Sequence, residues 1–242
     1  STEYANQMIK KGLILLVLVG FVAIISNLLI NFKGSEELNP LAKYYAENGA
    51  AEVGAANLVT AVVVTYRGFD TLGEVTILFL AAAIVGFFLK VYHRDDKRES
   101  ALRKTSEILV TASTLLVPTI FMLGVYIFIN GHLTPGGGFQ GGAVIATGMV
   151  MMILAKPDVK FNHKLIAFVE SISGVGFVII GVLGVALAAG FLDNHILPLG
   201  KFGTLLSAGV IPIIYILIGL KVGTELTNIL DSLKETQNEK EL

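Results

Sequence analysis

"TSEILVTASTLLVPTIFMLGVYIFINGHLTPGGGFQGGAVIATGMVMMILAK" occupies residues 105–156. Two apolar runs in it, Ile108–Ile129 and Gly136–Ala155, carry no charge over 22 and 20 residues. A short glycine-rich loop joins them. A helix needs about 20 apolar residues to cross the hydrocarbon core of a bilayer. The stretch therefore predicts two membrane helices joined by a tight turn, and it sets the fold class of the chain: all-α and polytopic.

The same pattern recurs outward. Gly12–Phe32, Ser171–Leu192 and Phe202–Leu220 are uncharged over 21, 22 and 19 residues. Two shorter runs, extended to Ala50–Tyr66 and Thr71–Tyr92, span only by carrying Glu52, Glu74 or Lys90 into or near the membrane. About seven spans are predicted, three before and four after the charged loop "YHRDDKRESALRK" (92–104). The expected organisation is a three-helix module over 1–92, a cytoplasmic linker over 93–104, a four-helix domain over 105–230 and a polar tail over 231–242. Charged residues make up 15% of the chain, against the usual quarter. The net charge of −1 gives nucleic acid nothing to bind, and the absence of cysteine excludes disulfides, thiolate metal sites and iron–sulfur clusters on this chain. With the N-terminus outside and the C-terminus inside the cell membrane, 14 of the 18 Lys and Arg fall on the inner side, the side they favour. Lys10 and Lys11 run against this orientation locally.

Gly136, Gly138 and Gly141 fit G-x-G-x-x-G, but a dinucleotide turn needs a strand before it and an acid about 20 residues after it. Here membrane spans lie on both sides, and no Lys-Ser/Thr follows as in a P-loop, so no nucleotide is expected. Two readings remain. Pro135 suits a helix start, Gly136, Gly137 and Gly138 permit a sharp turn, and Gly141 and Gly142 permit close helix packing. Alternatively, free N–H groups at this helix start hold a water, an ion or a partner's carboxylate, with His132 and Gln140 adding polar contacts.

Charges at membrane depth mark function by default. Glu74 is the first candidate, and Asp70 lies four residues earlier on the same helix face. Two close carboxylates push their proton affinities apart, which suits a proton or Na+ relay. The competing reading is interfacial: Asp70 caps the helix and Glu74 sits in its first turn. Arg67 pairs with an acid in either case. Glu52 borders the short second span, Glu170 stands near the start of the sixth, and Lys221–Glu225 read as an ion pair at the last helix's end with the lysine snorkelling. Asn27 and Asn31 share a face of the first span, and Pro118 and Pro212 are expected to kink theirs. His93, His132, His163 and His195 show no metal-ligand spacing, so no metal is expected.

"GHLTPGGGFQGG" (131–142, including Phe139) followed by an apolar helix resembles the signature of the MnhB-like subunit of Mrp-type Na+/H+ antiporters, over roughly residues 101–230. "NLVTAVVVTYRGFDTLGEVTILF" (57–79) is similar to the C-terminal region of the large Mrp antiporter subunit. Equivalents of both pieces occur as small subunits in membrane-bound hydrogenases and sulfane reductases related to respiratory complex I. Their joining in one chain departs from the usual Mrp layout. The resemblance implies a subunit without catalysis or cofactor of its own, contributing Glu74, Asp70, Arg67 and Glu52 to an ion path. Its implied partners are other Mrp-type subunits, lipids and, in one class of parent complex, a hydrogenase or related redox module. The alternative is a structural or lipid-packing spacer. In the expected orientation, Arg67–Glu74 and Gly131–Gly142 both lie toward the outer face.

Overall fold

The computed structural model describes residues 2–31, 37–93, 105–159 and 161–237. The linker residues 94–104 and the last five residues of the tail lie outside them. The chain divides into two units, Ser1–Lys43 and Tyr44–Leu242. In the first, α1 (Thr2–Asn31) is one unbroken helix whose apolar stretch Lys10–Ile30 is 21 residues long, enough to span. Asn39 opens α2 (Pro40–Val53), its Oδ1 accepting from Ala42 N at 2.7 Å.

In the second unit α2 breaks at Gly54, whose φ of 72° favours glycine. Asn57 then caps the short helix α3 (Leu58–Thr60), which runs on as a π-helical turn over Ala61–Tyr66. The two arms meet at 94°. The expected straight span Ala50–Tyr66 is therefore bent. Its contacts explain the bend. Asn194 Nδ2 donates to Val53 O (2.7 Å), Asn57 and Thr60 bond the Gly131 carbonyl, and Gly54 packs on Leu199 and Ala208. All of these partners lie in loops at one end of the helix bundle. Tyr44–Tyr66 is a cap on that end.

Five long helices form the bundle: α4 (Gly68–His93), α5 (Glu107–Ile129), α6 (Gly138–Ala155), α7 (His163–Leu187) and α8 (Ile211–Gln237). With α1, six helices are long and apolar enough to cross a membrane. No strand occurs among the described residues. α8 is central, packing on α4, α5, α6 and α7. Its apolar face (Ile211, Ile214, Ile218, Val222) joins Phe177 and Leu192 in the core. α6 approaches both neighbours at glycines. A Cβ on Gly141 would lie 2.6 Å from Gly124 O of α5, and one on Gly142 would lie 2.7 Å from Gly219 O of α8.

Three helices differ in their bounds from expectation. Pro135 does not start α6, which begins at Gly138 after Gly136 and Gly137, whose φ angles are 149° and 156°. The last helix starts at Ile211, not Phe202. Gly200, Gly203, Gly209 and Ala208 all take positive φ, so the apolar run 202–210 coils as a loop. Pro212 thus falls in the first turn of α8, where its missing N–H costs no hydrogen bond, and it marks a start, not a kink. Pro118 does lie inside α5. Likewise α7 begins at His163 and ends at Leu187, before the expected Leu192. Asn162 Oδ1 accepts from Leu165 N at its start.

Candidate functional site

The two recognisable stretches lie at the same end of the bundle. Asn57 Nδ2 donates to Gly131 O (2.8 Å) and Thr134 O (3.0 Å). Tyr215 of α8 donates its hydroxyl to Thr60 Oγ1 (2.8 Å), which donates to Gly131 O (2.7 Å). The Tyr215 ring fills the space above Gly131, where a Cβ would meet it at 2.7 Å. His132 is fully buried, with Nε2 3.3 Å from Thr204 O. Burial holds its pKa below the ordinary imidazole value. Phe139 packs against the core, and Gln140 is exposed. Beside this loop Asp193 accepts from Ala189 N (3.1 Å), His195 N (2.9 Å) and the His195 ring (2.6 Å). Burial alone would raise its carboxyl pKa, but these bonds bring it below the usual range.

Glu52, Arg67, Asp70 and Glu74 are all exposed on this unit's surface. Asp70 forms an ion pair with Arg67. Glu74 stands about 9 Å along α4 from its first residue, facing outward. Glu52 accepts from both Tyr44 and Tyr66 hydroxyls and borders a cavity of about 430 Å³ with Asp193 and His195. The structure therefore brings Glu52 near Asp193 and His195, and Arg67 to Asp70, but among the described residues it gathers no set of carboxylates around Glu74. Among the described residues no three His, Asp or Glu converge as metal ligands do.

The strongest buried charge lies elsewhere. Because α8 starts nine residues later than expected, Lys221 and Glu225 sit near the middle of the 24-residue span Ile211–Lys234, not at its end. Their charged atoms are 2.6 Å apart, and the side chains are 9% and 0% exposed. Lys221 Nζ lies 4.9 Å from the Phe79 ring centre on α4 and passes Gly174 of α7, which leaves it room. Neither Glu225 oxygen makes a well-directed hydrogen bond among the described residues. One turn onward Asn228 Nδ2 donates to Glu170 Oε2 of α7 (2.8 Å), and further on Asp231 lies 3.6 Å from His163. Lys221, Glu225, Asn228 and Ser232 follow the spacing of one helix stripe. The i, i+4 pair was legible in the sequence; its depth was not. The signal that sets the depth is the cluster Pro198, Gly200, Gly203 and Gly209, which breaks the apolar run before Pro212.

Residues 108–228 match the family model "Domain related to MnhB subunit of Na+/H+ antiporter", and residues 9–105 match the model of MbhE, a subunit of MBH. An uncharacterized protein of Methanocaldococcus jannaschii is 30% identical over 78% of this chain and 83% of its own. A Na(+)/H(+) antiporter subunit of Bacillus subtilis is 34% identical over 36% of this chain and 55% of its own. A chain in the structure of the membrane-bound sulfane sulfur reductase, an archaeal respiratory membrane complex, is 41% identical, covers 93% of this chain and 98% of itself, and superposes with a TM-score of 0.77. A chain of the Mrp complex from Dietzia sp. DQ12-45-1b shares the fold alone, at 23% identity over 93% of this chain and 26% of that one, with a TM-score of 0.72. The chain is thus a multi-pass membrane protein that belongs to the family of domains related to the MnhB subunit of Na+/H+ antiporters, preceded by a segment that matches MbhE.

Proposed function

We propose that this chain is a non-catalytic membrane subunit of a monovalent cation/proton antiporter module, and that Glu74 supplies a carboxylate to an ion route shared with sibling subunits. The observation that carries the reading is the place of Glu74. It lies within the span Gly68–Leu89, exposed on the outer surface of α4. A carboxylate at that depth is costly against lipid and is retained where a partner subunit or water receives it. The same logic makes sibling Mrp-type subunits the partners of the α4 face. The relative in an archaeal respiratory reductase supports a parent complex that also holds a redox module. Sodium is the cation favoured by the name of the matching family.

The glycine-to-backbone contacts of α6 favour a second reading, a spacer that holds neighbours in register. One experiment separates the two: the Na+-dependent pH gradient in vesicles carrying the whole complex, wild type against Glu74→Gln. Exchange lost from an intact complex supports the ion route. Unchanged exchange supports the spacer.

A further inference from the structure

The end of the bundle opposite the glycine loop holds a cavity of about 590 Å³ between α4, α7 and α8. Its polar lining is His163, Glu170, Asn228 and Ser232, and Phe79 and Phe87 line the α4 side. Glu225 lies one turn of α8 deeper than Asn228, close enough to Glu170 for the two charges to interact. Beyond Lys221, toward the glycine loop, the way is closed by Ile218, Ile214 and Phe177, all essentially fully buried.

We infer that Glu225 is a proton-binding site of this chain, loaded and unloaded from the His163 end only, with Glu170 as the relay and Lys221 as the fixed counter-charge. A buried ion pair that serves packing alone has its remaining lone pairs satisfied. Here Glu225 has Lys221 against Oε1, while Oε2 has no partner among the described residues. That open oxygen is where a proton attaches. In the step, a Glu170 carboxyl protonated from cavity water gives its proton to Glu225 Oε2, and Glu170 takes up another from the water. The Lys221–Glu225 pair thereby goes from neutral to a single positive charge, and release reverses the step. Charged groups facing Glu225 are Lys221 on its own helix and Glu170 on α7; Asp231 and His163 stand further along the cavity. α4 brings the Phe79 ring, α6 has no charged residue, and α5 has only Glu107 at its start. The inference goes beyond the Glu74 route, since this site lies toward the other end of the bundle.

The test is infrared difference spectroscopy on the purified, intact complex as pH is lowered. The expected result is a protonated-carboxyl band that Glu225→Gln abolishes and Glu74→Gln leaves in place. Glu170→Gln, which keeps an acceptor for Asn228, preserves the cavity wall if Glu225→Gln fails to assemble. It should leave the band but slow its rise after an acid jump. Absence of a Glu225-dependent band at any pH, or a rise unaffected by Glu170→Gln, overturns the proposal. Exchange lost in Glu74→Gln while the band persists, or the converse, tests the two functional readings separately.

Discussion

Asn57 holds the Gly131 carbonyl at 2.8 Å from its side-chain amide and the Thr134 carbonyl at 3.0 Å, so a residue from before the charged linker closes the glycine loop after it. Its Oδ1 also accepts from Val59 N. Asn57→Leu keeps the volume and removes all three bonds. The Thr134 carbonyl loses its side-chain donor, at about 1–3 kcal/mol if left unsatisfied, while Gly131 O keeps Thr60. We expect a lower Tm for the detergent-solubilised complex; an unchanged Tm would mean that water replaces the amide.

Glycines on this chain should divide sharply on substitution. Gly142→Ala puts a methyl 2.7 Å from Gly219 O and from Val222 Cβ, forcing α6 and α8 apart. Overpacking of this kind costs about 1–3 kcal/mol. A Cβ on Gly73 meets nothing within 4 Å in this unit, and a helical alanine is better than glycine by about 0.5–1 kcal/mol. Thermal unfolding of the two variants should therefore move in opposite directions, unless a sibling subunit covers Gly73 closely.

His132 gives the glycine-loop end a pH dependence whose sign follows from burial. Its folded pKa is depressed below 6.5, so the unfolded chain binds the proton more readily. Its contribution is complete above 6.5 and is lost as pH falls from there through the folded value. His132→Gln should flatten the dependence of Tm on pH in that acid range. An identical slope in the variant would assign the effect to another group.

The cap predicts the number of crossings. Tyr45 stacks on Tyr66 with ring centres 4.8 Å apart, so the chain enters and leaves the cap at one place. We therefore expect the bent pair to add no crossing, so that α1 with α4–α8 makes six. On that count the charge rule predicts Lys10 and Lys11 on the same side as the linker bases, Lys33, Lys43, Arg67 and Lys201 on the other, and Lys221 within the span. Six crossings would put the C-terminal end and Lys10 and Lys11 all inside, and would remove the conflict of the two lysines with the charge rule. Single cysteines are informative in a chain with none of its own. Lys11→Cys and Arg98→Cys should both resist an impermeant maleimide applied from outside, and Lys201→Cys should react. Labelling at Lys11 alone of the first two would restore seven crossings.

What was legible in the sequence was whatever depends on apolar run length. α5 and α6 fall within two residues of their expected bounds, because no charge interrupts either apolar run and the loop between is short. Composition misleads where apolar residues serve a loop, as over 202–210, since run length does not sense positive φ. That one misplacement hid the depth of Lys221 and Glu225. The partners Glu170 and Asn228 are 58 residues apart in the chain, and no spacing rule joins residues on different helices.

The buried pair has a consequence for biogenesis. α8 has a mean span hydropathy of 1.5, against 3.0 for α1. Each charge at the centre of an isolated helix costs about 2.5–3.5 kcal/mol on insertion. α8 gains its compensation from the Phe79 ring of α4 and from the room left at Gly174 of α7. Of the six spanning helices α8, made after α4 and α7, is thus the least able to enter lipid alone. Its entry is templated by helices already in place, which makes the order of synthesis part of how this chain assembles.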